Sequence, residues 1–94
     1  MAKSIVQSEK ACWVCGRQHN LHKHHIFGGS NRRNSERNGF TVYLCQYHHE
    51  GTYGVHGKYG DKLNRELKQL CQKKYEELGH TTEDFIRLIG KNYL

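Results

Sequence analysis

The sequence predicts a small α+β domain, with a β-hairpin and a short helix in its first half and two helices in its second half. Three observations lead to this prediction. Cysteine and histidine residues cluster before Gly57, two β-branched and aromatic runs flank a polar segment, and apolar residues recur with a helical period after Gly57. The 94 residues form one domain, 1–94, with a core at about 12–57 and C-terminal helices at about 58–94.

The hairpin is predicted from two short apolar runs. Residues 21–27 read as the first strand, which ends at the turn-forming sequence Gly-Gly-Ser-Asn at 28–31. Residues 40–44, FTVYL, have the β-branched and aromatic content of a second strand. The polar residues 28–39 between them are expected to form a long basic loop at the hairpin tip.

Three helices are predicted after the second strand. A short one carries the sequence CQYHH, in which Cys45, His48 and His49 share one face by their i, i+3 and i+4 spacing. A longer one of about five turns ends at Gly79, and Thr81 is expected to cap the last one. Their apolar stripes are predicted to be core and consist of Leu63, Leu67, Leu70, Cys71, Tyr75 and Leu78, and then Phe85, Ile86, Ile89 and Tyr93.

Composition limits the core and indicates the partner. Only 35% of the residues are hydrophobic and the mean hydropathy is −0.93, so the core must be small and a metal, disulfides or a partner subunit must support it. The formal net charge is +6 and the sequence pI is about 9.3. Such a charge favours a nucleic acid as partner, because each neutralised phosphate releases counterions; the alternative is a basic surface with no partner.

The chain has no apolar stretch near the roughly 18 residues of a membrane helix, and its first residues, MAKSIVQSEKA, lack the apolar centre of a signal peptide. We therefore predict a cytoplasmic protein with no membrane partner. In that compartment the four cysteines are expected to be thiolate ligands or buried thiols. A redox CxxC is the weaker interpretation, since no βαβ pattern surrounds it.

The cysteine spacing predicts a structural zinc site. Cys12 and Cys15 form a CxxC followed by Gly16, and Cys45 and His48 repeat the same two-residue spacing. Together they supply the four N or S ligands of tetrahedral Zn²⁺. Two alternatives stay open at this point. His49 lies on the same helical face as His48, and a local set would combine Cys12 and Cys15 with His19 and His22.

Taken together, the segments CxxC, LHKHHIFGG, NRRNSERNGFTVYLCQYHH and GVHGK resemble the HNH nucleases, and the small phage-encoded members in particular. The resemblance covers roughly residues 12–75. It implies a ββα-metal fold, here a hairpin-plus-helix core stapled by the structural zinc and followed by two C-terminal helices. It also implies a phage or prophage gene whose product acts in a host cell.

The resemblance further implies catalytic roles. His24 and His49 would be ligands of a catalytic divalent ion, Mg²⁺, Mn²⁺ or another, and His25 would be the general base. His56 is a possible third ligand, left open because glycines interrupt the helix before it. The asparagine of the family name, which steadies the loop carrying the base, would be Asn31 or Asn38, with Asn34 as a further candidate.

The expected activity is hydrolysis of phosphodiester bonds in DNA with little sequence specificity. Residues that would contact phosphates are Lys23, Arg32, Arg33, Arg37 and Lys58. Neighbouring residues of a strand face opposite ways, so His24 and His25 can both act only if the phosphate straddles the strand end. The alternative function is a non-catalytic zinc module that binds nucleic acid, which leaves His24, His25 and His49 without a role.

Overall fold

In the computed structural model, which describes residues 3–94, a two-stranded antiparallel sheet lies among four helices. The elements in chain order are β1 (Leu21–His25), α1 (Arg32–Asn38), β2 (Thr41–Cys45), α2 (Gln46–Glu50), α3 (Asp61–Glu77) and α4 (Thr82–Ile89). A single 3-10 turn, Gly29–Asn31, leads into α1. The α+β class predicted from the sequence is therefore confirmed.

The hairpin is confirmed with shorter strands. Leu21 pairs with Cys45 and His25 pairs with Thr41, so β1 ends two residues before its predicted limit. Side chains alternate between the two faces of a strand. His22 and His24 therefore share one face of β1, and Lys23 and His25 share the other. This alternation decides the layout of the candidate sites.

The prediction of a basic loop at 28–39 is wrong, because most of this segment is helical. Helix α1 buries only Ser35, so the segment lacks the apolar period that would have revealed it. Gly39 ends the helix with φ 74°, and its N–H donates to the Ser35 carbonyl. A Cβ atom at Gly39 would overlap the carbonyl oxygen of Lys3, so glycine is required on both counts.

Ser35 connects α1 to the segment that follows β1. Its side chain is fully buried, donates a hydrogen bond to the Phe27 carbonyl at 2.7 Å and accepts one from the Phe27 N–H at 3.1 Å. Both backbone groups of Phe27 are thus satisfied by one hydroxyl. The position of α1 relative to the end of β1 depends on this pair of bonds.

Replacing Ser35 with alanine is expected to lower the free energy of unfolding by about 2 kcal/mol, because two buried backbone groups lose their partner. Ser30→Ala, at an exposed position of the preceding turn, should change it by less than about 0.5 kcal/mol. Chemical denaturation in the presence of zinc measures both values. Equal stability of the two variants would show that the Ser35 bonds contribute nothing.

The two C-terminal helices match their predictions closely. Helix α3 stops before Gly79, which has φ 105°, and Thr81 caps α4 in a reciprocal capping box with Asp84. Two of the predicted core residues are instead solvent-exposed, Leu78 by 64% and Ile86 by 39%. None of the helices in the described part of the chain is long and apolar enough to cross a membrane.

The core is built around aromatic rings from three parts of the chain: the segment after β1, the residue before β2, and α4. Phe27, Phe40 and Phe85 are buried, and the Phe27 ring lies 5.8 Å from that of Phe40 and 5.4 Å from that of Phe85. Leu67 and Cys71 of α3 join this cluster, and burial raises the pKa of the Cys71 thiol. Cys71 is thus the buried thiol that the sequence predicts, separate from the other three cysteines.

Residues 3–11, which precede the CxxC, run along β2. The Ile5 N–H donates to the Gly39 carbonyl at 2.9 Å, and the Tyr43 N–H donates to the side-chain oxygen of Gln7 at 2.8 Å. The Trp13 N–H donates to the Tyr43 carbonyl at 2.8 Å. These bonds use backbone groups on the open edge of β2 and set the CxxC beside the end of that strand.

Candidate metal centres

Three cysteines and one histidine converge at the end of the hairpin. Cys12 and Cys15 lie in a turn in which the Gly16 N–H donates to the Cys12 carbonyl at 2.8 Å. Cys45 is the last residue of β2, and His48 lies one helical turn later in α2. The hairpin lies between the two ligand pairs in sequence. Because its strands are antiparallel, it brings the two pairs together in space.

The ligand atoms of this Cys3His group have the spacing of a tetrahedral zinc site. Metal–ligand lengths in such sites imply about 3.8 Å between two sulfur atoms and about 3.6 Å between sulfur and nitrogen. The Sγ atoms of Cys15 and Cys45 are 3.8 Å apart, and the His48 Nδ1 atom is 3.6 Å from Cys12 Sγ and 3.3 Å from Cys45 Sγ. The four residues therefore fit a metal ion and are compatible with zinc.

The electrostatics of Cys12 also suit a metal ligand. Burial opposes ionisation of its thiol, but hydrogen bonds from the backbone of Cys45, Cys15 and Val14 outweigh burial and lower the pKa to about 6. Thiolate is the form that binds zinc. Of the alternatives left open by the sequence, the structure favours His48, since His49 lies in a different group and His19 is exposed.

A second group consists of imidazoles from three elements. The ring centroid of His24, on β1, is 5.4 Å from that of His49 on α2 and 5.4 Å from that of His56. The centroids of His49 and His56 are 4.7 Å apart. One nitrogen from each ring lies within 4.8 Å of the others, so the three residues can hold a metal ion. The sequence left open whether His56 joins His24 and His49, and the structure brings the three together.

His24 has the properties of a metal ligand that is held ready. Its Nε2 atom is buried and has no hydrogen-bond partner in the described part of the chain. Among residues 3–94 it is the one buried side-chain nitrogen or oxygen of this kind. Burial, followed by the neighbouring His49 and His56, lowers the pKa of His24 to about 3. The ring is therefore neutral at physiological pH. An unpaired buried nitrogen is costly unless another group, here an ion, accepts its lone pair.

His22 contacts this group, whereas the sequence analysis considered it only as a zinc ligand in a local set with Cys12 and Cys15. Its Nδ1 atom is 2.9 Å from Nδ1 of His49, and Glu50 lies 3.8 Å from the same His49 nitrogen. An outer partner of this kind fixes the ring orientation of a ligand and leaves the other nitrogen, Nε2, for the metal. The two-residue alternation of His22 and His24 along β1 was the signal that could have revealed it.

His25 projects from the opposite face of β1 and contacts α1. Its Nε2 atom is 2.8 Å from one carboxylate oxygen of Glu36, and Lys23 lies 2.9 Å from the other oxygen. These two hydrogen bonds lower the pKa of Glu36. Glu36 was not singled out from the sequence, because the helix that carries it was not recognised. The structure thus separates His25 from the imidazole group, as strand alternation requires.

The predicted phosphate-contacting residues are divided between two regions. Arg32 and Arg33 are exposed and line one hollow together with His25 and Glu36. Lys23 lines this hollow too, but it is paired with Glu36. Lys58 lies elsewhere, above the ring of Tyr59. Arg37, on α1, is exposed.

The candidate asparagines hold α1 in place. The Asn31 side chain donates to the Ile89 carbonyl at 2.9 Å, and Asn34 donates to the Leu88 carbonyl at 3.0 Å. Asn38 donates to the Asn34 carbonyl within α1 at 2.8 Å. The side chain that ties down the segment after His25 is instead Ser35. The steadying role predicted for Asn31 or Asn38 stays a prediction.

Comparison of this chain with protein-family models, curated proteins and solved structures found no match. The functional interpretation therefore depends on the geometry of the two metal centres and of His25.

Proposed function

We propose that this protein is a metal-dependent DNA endonuclease of the HNH type. The observation that carries the proposal is the gathering of His24, His49 and His56 at a centre separate from the Cys3His group, with the Nε2 atom of His24 buried and unpaired. A structural zinc site alone would have no use for this second centre. Three imidazole nitrogens suit a divalent transition ion such as Zn²⁺ or Ni²⁺ best, whereas Mg²⁺ and Mn²⁺ prefer oxygen and would take the rest of their ligands from phosphate and water.

The proposal includes a ββα-metal fold. Strand β1, strand β2 and helix α2 occur in this order, with α1 inserted between the two strands, and each contributes to a candidate metal centre: His24 from β1, Cys45 from β2 and His49 from α2. The Cys3His group closes the end of the hairpin at which α2 begins. In this arrangement zinc holds the short helix α2 against the sheet, so that His49 faces His24.

His24, His49 and His56 would hold the catalytic ion, with His22 orienting His49. A divalent ion bound there supplies positive charge for the phosphoryl oxygens and lowers the pKa of bound water. The neutral state of His24 leaves its lone pair available for binding. Burial, followed by His56 and His22, also lowers the pKa of His49, which keeps this ring neutral in the same way.

His25 would take the proton from the attacking water. Its Nε2–H donates to Glu36, so Nδ1 carries the lone pair that accepts the proton. Glu36 orients the ring and stabilises the imidazolium that forms, as carboxylates do for catalytic histidines elsewhere. Arg32 and Arg33, which line the same hollow, would bind phosphate oxygens.

His25 and the imidazole centre lie on opposite faces of β1, and the scissile phosphate must reach both. His25 is the last residue of β1, and the chain turns away at Gly28 and Gly29. The substrate would therefore straddle the end of the strand. There the phosphate has the three imidazoles on one side and the hollow of His25 on the other.

Incubation of supercoiled plasmid with the zinc-loaded protein tests the proposal. Nicked or linear DNA is expected on addition of at least one of Mn²⁺, Mg²⁺, Ni²⁺ and further Zn²⁺, and intact plasmid without an added ion. The competing function is a zinc module that binds nucleic acid without cutting it, which the exposed arginines of α1 favour. Binding of DNA by folded, zinc-loaded protein, with no cleavage under any divalent ion, would favour that module.

Replacing Glu36 with glutamine is expected to slow nicking roughly 10- to 100-fold, because His25 loses the charge that stabilises its protonated form. The rate should fall at saturating plasmid, with little change in the DNA concentration needed for half-maximal rate. Glu66→Gln on α3 makes the same chemical change at an exposed residue whose ion-pair partner among residues 3–94 is Lys62, and this variant should cut normally. Equal rates for the two variants would remove Glu36 from the mechanism.

A further inference from the structure

Two tyrosines in the segment that carries His56 form an exposed stacked pair. The rings of Tyr53 and Tyr59 lie 5.4 Å apart with an interplanar angle of 27°, and their residues are 58% and 56% exposed. Single exposed aromatic residues are common on protein surfaces. Two that stack on each other, with more than half of each residue open to solvent, form a flat apolar surface that the fold itself does not use.

A glycine-rich coil holds these rings in place. Glycine occurs at every third position from 51 to 60, and the N–H of each of the last three glycines donates to the carbonyl of the glycine before it. A Cβ atom on Gly57 would overlap the Gly51 carbonyl oxygen, and one on Gly60 would overlap that of Gly54. The coil is therefore wound too tightly for side chains at these glycine positions. Its hydrogen bonds also fix the positions of the residues between the glycines.

The two tyrosines flank a proposed ligand of the catalytic ion in the same coil. His56 lies midway between Tyr53 and Tyr59 in the coil, and its N–H donates to the His49 carbonyl at 2.9 Å. Val55, the neighbouring residue, is buried and anchors the coil. If a phosphate bound at the imidazole centre, the nucleotides on either side of it would thus lie near the rings of Tyr53 and Tyr59.

The charge around the pair favours nucleic acid over an apolar protein segment. The ammonium of Lys58 lies 5.4 Å from the centroid of the Tyr59 ring, and the whole chain carries a net charge of +6. An aromatic surface with an adjacent cation is the usual platform for an unstacked nucleobase and its phosphate. Stacking accepts every base, because each base has a π face.

We propose that Tyr53 and Tyr59 form a stacking platform for an unpaired base beside the scissile phosphate, so that the preferred substrate is DNA with a single-stranded or locally unpaired segment. This inference rests on the proposed endonuclease function for the position of the phosphate. Bases inside a duplex cover one another's faces and cannot stack on the tyrosines without leaving the helix. Single-stranded DNA has no such barrier.

Binding measurements on the His25→Ala protein test the platform without cleavage. Fluorescence anisotropy without added divalent ion should show tighter binding of a short single strand than of a blunt duplex of the same sequence. Tyr53→Ala with Tyr59→Ala should weaken single-strand binding roughly 5- to 100-fold and duplex binding by less than about twofold. The matched control, Tyr53→Phe with Tyr59→Phe, keeps both rings and should bind within about twofold of the parent.

A second measurement does not depend on how the alanine variants fold. A single strand that carries 2-aminopurine should lose fluorescence on binding to the His25→Ala protein, because stacking quenches this base. Equal affinity for single strand and duplex, with no quenching, would overturn the platform, and plasmid nicking by the native protein would still support the nuclease. Quenching by the His25→Ala protein, together with a native protein that cuts no DNA under any divalent ion, would support the platform and contradict the nuclease.

Discussion

Replacing His25 with alanine is expected to slow nicking of supercoiled plasmid roughly 100- to 10,000-fold, the usual contribution of a positioned general base. The variant lacks the nitrogen that we propose accepts the proton, while the candidate ligands of both metal groups stay in place. Glu36 keeps a charged partner, because Lys23 lies 2.9 Å from its carboxylate. The loss should therefore appear in the rate and only weakly in DNA affinity.

Folding of the His25→Ala protein serves as the internal control. The side chain of His25 is partly exposed. Its contact with the Glu36 carboxylate contributes at most about 1 kcal/mol to the free energy of unfolding. The melting temperature should stay within about 5 °C of the native value, and the zinc content should not change. A variant that melts normally and still nicks plasmid at the native rate would exclude His25 as the base. Purification of both proteins by the same procedure excludes a contaminating nuclease.

Replacing Cys12 with serine is expected to unfold or aggregate the domain. Structural zinc contributes about 10 to 16 kcal/mol to folding in small metal-stapled peptides, which matches or exceeds the total stability of most domains. Cys12 is buried among the other ligands, and serine cannot supply a thiolate. The circular dichroism melt should lose its cooperative transition, and zinc bound per chain should fall well below one equivalent.

Cys71→Ala is the matched control for this experiment. Cys71 is also buried, but it packs in the aromatic core and belongs to neither metal group. Its removal leaves a small cavity that should cost about 1 kcal/mol, with zinc binding unchanged. A Cys12→Ser protein that holds a full equivalent of zinc and melts like the native form would contradict the structural role of the Cys3His group.

The features that local sequence specifies were predicted best. The helical period through Leu67 and Cys71 and the Thr81 cap each depend on residues within one or two turns, so the bounds of α3 and α4 could be predicted closely. The Cys3His ligands could be predicted for a different reason. Few residue types bind zinc, and their two-residue spacings brought Cys12 and Cys45 into one set.

The features that depend on partners distant in sequence were missed. Helix α1 buries one small polar side chain, Ser35, and forms because it docks on Phe27 and on the end of α4. Without α1, no pattern connects Glu36 to His25, which lies eleven residues earlier. His22 was likewise set aside, since its contact with His49 exists only after α2 folds back on β1.

The sequence by itself determined the α+β class, the cysteine and histidine ligands of the structural metal group, and the identity of the histidines available for a second centre. The tertiary structure alone decided how those histidines are divided. Register and strand alternation turn His24 toward His49 and His56, and turn His25 toward Glu36. The physical reason is that residue type and spacing determine which side chains can act as ligands. The pairing of β1 with β2 and the docking of α1 and α2 determine which of these side chains come into contact.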